Sequence, residues 1–134
     1  MDKGLRFTLT KEERVSGEKR IEGLFANGRS FIAYPLRVVY VVYDKCEAKT
    51  QVSIFVSVPK KRIRSAVKRN LLKRLIRETY RLNKYLLLSG LQSGMGIDVA
   101  FVYVKDEISD FATVEKGMLK SLKEIADNRM KGEE

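Results

Sequence analysis

Histidine and tryptophan are absent from the 134 residues, and there is a single cysteine, Cys46. Without histidine there is no Ser-His-Asp triad, no Cys-His dyad and no imidazole metal site. One cysteine forms no internal disulfide and no CxxC cluster, which fits a reducing compartment. Proline occurs twice, so the strands and helices have few breakers. No apolar run approaches the length of a membrane span, and Met1 to Arg6 lacks the apolar core of a secretory signal. These absences lead to the expectation of a soluble, cytoplasmic, single domain over 1–134, ordered from about 5 to 130, with no membrane association.

Positive charge is abundant, and it is concentrated. The chain carries 27 Lys plus Arg against 17 Asp plus Glu, a net +10. Residues 60–84 hold eleven of the basic residues and one acid, Glu78, so that segment alone accounts for the whole net charge. A basic segment of this density suits the neutralisation of phosphates, since each contact releases condensed counterions. A solvated charged helix usually intersperses acids, and this segment does not.

The hydrophobic residues, 44% of the chain, suffice for a folded domain. A helix is predicted over 16–28, with Ser16 as N-cap, Ile21, Leu24 and Phe25 as its apolar stripe, and Asn27-Gly28 as a left-handed stop. Strands are predicted at Leu36–Tyr43, Gln51–Val58 and Ile97–Val104, with a weaker one near Ser30–Tyr34. Period two places Val52, Ile54, Val56 and Val58 on one face and Phe55 on the other. Loops are predicted at Asp44–Thr50 and Ser89–Gly96, and a tail at Gly132–Glu134. A long helix is predicted from Ser65 to Leu88, with Val67, Leu71, Leu75, Leu82 and Leu86 inward. A closing helix, Thr113–Met130, turns Val114, Met118, Leu119, Leu122 and Ile125 inward. The order α-β-β-β-α-β-α defines an α+β two-layer sandwich on a mostly antiparallel sheet.

Three constellations carry chemistry. On the long helix, Arg69, Lys73, Arg77 and Arg81 recur every four residues, about 6 Å apart, a spacing similar to that of phosphates along one strand. Asn70, Arg74 and Lys84 share that side, and Lys68 lies in the same segment. Asn70 either contacts nucleic acid or ties down its own helix. Before the helix, Lys60, Lys61, Arg62 and Arg64 form what reads as a flexible basic arm or a solvated loop. The third constellation is aromatic. Phe55 and Phe25, with Arg37, line a cleft for an unpaired strand if the faces align, or Phe55 packs beneath the first helix as second-face core. Carboxylates are scattered: Asp98 alone in a strand, Asp106, Glu107 and Asp110 in a loop. No catalytic residue and no protein-bound cofactor or metal is expected.

The residues Lys60-Lys61, Arg64, Ala66-Val67, Arg69-Asn70, Lys73-Arg74, Arg77-Glu78 and Tyr80-Arg81-Leu82 resemble the signature of the bacterial ribonuclease P protein component. The similarity extends over about 5–130. It implies a sandwich like the second domain of small-subunit ribosomal protein 5, with a left-handed β-α-β crossover. It further implies a protein subunit that binds the catalytic RNA and the 5′ leader of precursor tRNA. Phosphodiester hydrolysis would then occur in a Mg²⁺-dependent, RNA-containing holoenzyme, with no obligate protein partner. The RNA-binding set so implied is Lys60, Lys61, Arg64, Arg69, Asn70, Lys73, Arg74 and Arg77, to which the charge pattern adds Arg62, Lys68 and Arg81. The leader cleft comprises Ile21, Phe25, Ser30, Arg37, Val39 and Phe55. Two positions depart from the family pattern, Leu71 where an Arg is usual and Ile21 where an aromatic is common. The competing classes are a general or ribosomal RNA-binding module, a DNA-binding regulator and a stand-alone nuclease.

Overall fold

Alternation of apolar and polar residues leaves each strand two distinct faces, and both faces of the sheet are used. The computed structural model describes residues 14–15, 17–43, 52–89 and 95–130. Four helices and four strands follow in the order α1 (Glu18–Asn27), β1 (Arg29–Ala33), β2 (Leu36–Tyr43), β3 (Val52–Ser57), α2 (Ala66–Asn83), α3 (Tyr85–Leu88), β4 (Gly96–Tyr103) and α4 (Phe111–Met130). The sheet order is β1-β2-β4-β3, with β1–β2 and β2–β4 antiparallel and β3–β4 parallel. Helix α2 is therefore the crossover of a β-α-β unit whose strands are neighbours. The free edge of β3 is met by residues 14–15, where the amide of Val15 donates to the carbonyl of Ile54 at 2.8 Å.

One face of the sheet carries the main core. Val38, Tyr40, Val52, Ile54, Ile97, Val99 and Phe101 pack there against Leu72, Ile76 and Tyr80 of α2 and against Val114, Met118, Leu122 and Ile125 of α4. Leu119 of α4, expected inward, is half-buried at the margin. The opposite face is smaller. Leu24 of α1 closes over Val39 and Ala100, with Val41 and Phe55 beside them. The expected sandwich thus holds its large layer of helices on one side and α1 alone on the other.

Three local expectations need correcting. Gly28 has φ −82°, so the turn after α1 is not a left-handed stop. Glycine is required there by proximity, because a Cβ would lie 2.6 Å from the carbonyl oxygen of Leu24 and 2.7 Å from Val39 Cγ1. The long helix breaks at Lys84 into α2 and α3, although Lys84 keeps helical angles of φ −62° and ψ −20°. Its inward line is Leu72, Ile76, Thr79, Tyr80 and Asn83. Val67, Leu71 and Leu82 point to solvent, at 78%, 48% and 38% exposure, while Leu75 and Leu86 sit at the core's edge. Ser65 does cap α2, its hydroxyl accepting from the amide of Lys68 at 3.3 Å. Gly17 occupies the N-cap position of α1. Ser16, Asp44–Thr50 with Cys46, most of the loop before β4 and the tail lie outside the described residues.

Candidate nucleic-acid interface

The cationic face is built by helix phase. Lys73, Arg77 and Arg81 each follow a buried residue by one position, so they stand about 100° round the helix from the core line. Arg69, Lys73, Arg77 and Arg81 thus form one flank of α2, with Asn70 and Arg74 further out and exposed. Burial and the nearby Arg14 both push the Arg77 guanidinium below its ordinary value, burial more strongly.

Some of the cations are already engaged. Arg69 Nη1 donates to the carbonyls of Ile63 at 3.1 Å and Arg64 at 2.8 Å. Arg62 pairs with Asp106 at 3.1 Å. Arg81 forks onto Glu78, its Nε donating to Oε1 at 3.1 Å, and this hydrogen bond lowers the Glu78 carboxyl pKa and raises that of Arg81. Among the described residues, Lys60, Lys61, Arg64, Lys68, Lys73, Arg74 and Arg77 have no carboxylate partner. Seven unpaired cations therefore lie on and just before one helix.

The segment ahead of α2 is not the flexible arm expected from its composition. The amides of Arg62 and Ile63 donate to the Pro59 carbonyl at 3.0 and 3.2 Å, and Ile63 is buried in the main core. A nail of one apolar residue and the Arg69 side chain thus fix a turn that presents Lys60, Lys61 and Arg64 outward. Between this turn and the loop Asp106–Ile108 lies a groove of about 670 Å³.

The aromatic constellation sits on the other face. Register places Ser30, Val39, Ala100 and Phe55 in one row across the sheet, and Ile32, Arg37, Val102 and Ser57 in the next. Helix α1 covers Val39 and Ala100 of the first row, while Ser30 at its end and Arg37 and Ile32 beyond it remain exposed. Phe25 meets Phe55 edge to face, with ring centroids 6.1 Å apart and an interplanar angle of 86°. Of the two sequence alternatives for Phe55, the packing beneath the first helix is the one seen. It packs against the small core under α1, and it also faces a ring that is 38% exposed. Ile21 lies one turn before Phe25 and is half-buried. The structure therefore brings Phe25 and Phe55 together; Val39, expected in the cleft, is buried beneath Leu24, Ser30 stands at the far end of the row three strands from Phe55, Arg37 lies one row further on, and Ile21 sits behind Phe25.

The sequence reading singled out Asp98, one row from this aromatic pair, but missed its partners. Arg20 donates from Nε and Nη2 to both oxygens of Asp98, at 2.9 and 2.7 Å, and the Tyr43 hydroxyl adds a bond to Oδ1 at 3.2 Å. A carboxylate inside an apolar strand was the available signal, since a buried charge demands a partner. Three other acids are also engaged. Asp106 is paired with Arg62, Glu78 with Arg81, and Asp110 accepts from the Thr113 amide at 3.0 Å in the first turn of α4. Among the described residues no group of three potential metal ligands converges, and no helix is long and apolar enough to cross a membrane.

Fold and surface together define a class, an α+β domain that displays a cationic helix flank on one side of its sheet and a part-exposed aromatic pair on the other. Comparison with known proteins narrows it. The Ribonuclease P family model matches residues 9–126. The chain is 50% identical over 123 residues to the ribonuclease P protein component of Porphyromonas gingivalis, covering 91% of this chain and 89% of that one. It is 33% identical over 105 residues to the counterpart from Chlorobium phaeobacteroides, covering 72% of each. The solved RNase P protein from Thermotoga maritima superimposes with a TM-score of 0.64 at 25% identity, over 84% of this chain and 96% of that one. The Staphylococcus aureus protein shares the fold, with a TM-score of 0.63 at 20% identity over 85% and 94%. The chain belongs to the ribonuclease P protein family, whose members are RNA-binding subunits of a tRNA-processing endoribonuclease.

Proposed function

We propose that this subunit grips the ribonuclease P RNA through the cationic flank of α2 and the turn before it, and holds the 5′ leader of precursor tRNA in the cleft beside α1. The RNA-binding set is Lys60, Lys61, Arg62, Arg64, Lys68, Arg69, Asn70, Lys73, Arg74, Arg77 and Arg81. The single observation that carries the reading is the row of cations without carboxylate partners on α2 and the turn before it. In that row, Arg69 has a double duty, because its guanidinium also ties the turn to the helix. Phe25 and Phe55 offer aromatic surface to bases of any identity, and Arg37, one row on and two strands from Phe55, a charge to a phosphate further along the strand.

In this reading the bond is broken in the RNA. The protein lowers repulsion between two polyanions and holds the substrate in register, which are positioning effects. The Mg²⁺ of this reading belongs to the RNA-containing holoenzyme; in the protein, Asp98, Asp106 and Glu78 are paired with arginines and Asp110 caps α4. The reading places the assembly in the bacterial cytoplasm, where precursor tRNA is made.

The test is a salt titration of assembly with the RNA subunit. Replacing Lys73 and Arg77 together by Ala removes two phosphate contacts, so the slope of log K against log salt falls by about two units. Affinity drops most at low salt, and the melting temperature is nearly unchanged. An unaltered slope contradicts the reading.

A further inference from the structure

Helix α1 is held to the sheet by very little. It has ten residues, one of them buried (Leu24), and no side-chain cap at its start. A helix this short is not stable in isolation, so its pose is set by whatever fastens it. At its end, the close approach of Gly28 to Val39 fixes the exit. At its start the fastening is Arg20, whose fork closes on Asp98 of β4. Asp98 is only 8% exposed, and its pairing row is Val41 and Ser53, next to the row of Val39, Ala100 and Phe55.

We infer that the Arg20–Asp98 pair, steadied by Tyr43, is a positioning clamp that sets the opening of the leader cleft by fixing α1 over the sheet. Arg20 stands five residues before Phe25, a little over one turn of helix. Any tilt or roll at Arg20 therefore moves the Phe25 ring relative to Phe55, with which it makes a single edge contact. A planar fork that meets both carboxylate oxygens restricts roll as well as distance. A lysine at position 20 supplies the charge without the second bond, and so restores attraction but not orientation. Neither residue touches nucleic acid in this account. They act through the helix they hold. The inference rests on the leader-cleft reading given above.

The experiment uses the holoenzyme reconstituted with the RNA subunit, and compares affinity for leader-bearing precursor with affinity for mature tRNA. Arg20→Ala is expected to lower that ratio about tenfold, in the range of one stacked base lost. Arg20→Lys falls between it and the parent. Affinity of the protein for the RNA subunit, carried by α2, stays the same. In the free protein, the Phe25–Phe55 cross-ring nuclear Overhauser effect weakens while the α2 amide shifts remain in place. Because Arg20→Ala leaves a buried carboxylate alone, the double variant Arg20→Ala/Asp98→Asn is measured beside it and shows the same drop. An unchanged ratio in both variants, while Phe55→Leu lowers it, overturns the clamp and keeps the cleft. An unchanged ratio in Phe55→Leu overturns the cleft reading itself. Equal losses for precursor, mature tRNA and RNA subunit indicate general destabilisation and also overturn the clamp.

Discussion

Gly28 occupies the corner where α1 passes into β1, and two of the three atoms nearest a hypothetical Cβ are backbone oxygens, of Leu24 at 2.6 Å and Tyr40 at 3.0 Å. Backbone in a helix and a central strand has little room to yield. Gly28→Ala is therefore expected to destabilise the protein by about 1–3 kcal/mol, read as a lower urea midpoint with an unchanged slope. An unmoved midpoint contradicts the crowding. The dipeptide Asn27-Gly28 reads as a left-handed stop because sequence reports what glycine permits, not which neighbour crowds it. Leu71 teaches the converse. It departs from the family's arginine, yet at 48% exposure it adds little to the core. Leu71→Arg is expected to steepen the salt dependence of RNA-subunit binding by about one unit at unchanged thermal stability. A lower melting temperature with no change in slope counts against that placement.

Among the elements, strands were the more legible. Leu36–Tyr43 was read to the residue, and the parity of Val52, Ile54, Val56 and Phe55 was read correctly, because a strand has two faces and the apolar set must choose one. The phase of α2 was not legible. Its apolar residues occupy more than half the wheel, so two stripes of equal period compete, one residue and about 100° apart. The structure selects the one containing Thr79 and Asn83, polar residues that a pattern search discards. Their needs are met locally, Thr79 Oγ1 donating to the Ile76 carbonyl at 2.9 Å and Asn83 Nδ2 to the Thr79 carbonyl at 2.8 Å. The expected outcome follows from burial. Ile76→Ala costs about 2–5 kcal/mol, whereas Val67→Ala changes stability by about 0.5 kcal/mol or less. Chemical denaturation of the pair checks it, and the opposite ranking restores the other phase. The break at Lys84 had no signal, since neither proline nor glycine marks it.

For the whole molecule, what could be read was charge and motif, and what could not was long-range geometry. Segregated charge pointed to the cationic flank of α2, and the spacing of Arg69-Asn70, Lys73-Arg74 and Arg77-Glu78 located the family. The insertion of β4 between β2 and β3, and the pairing of Arg20 with Asp98 across 78 positions, depend on contacts that no local pattern encodes. The strand order puts α2 and α1 on opposite faces of one sheet, the arrangement that the proposed division between two RNA contacts requires. The most direct measurement of that account is cleavage of leader-bearing precursor tRNA at limiting Mg²⁺ in three arms: RNA subunit alone, RNA subunit with this protein, and protein alone. The account predicts little cleavage by the RNA alone, efficient cleavage with tighter precursor binding when the protein is added, and none by the protein alone. Cleavage at the mature 5′ end by the protein free of RNA, or no difference between the first two arms, contradicts it.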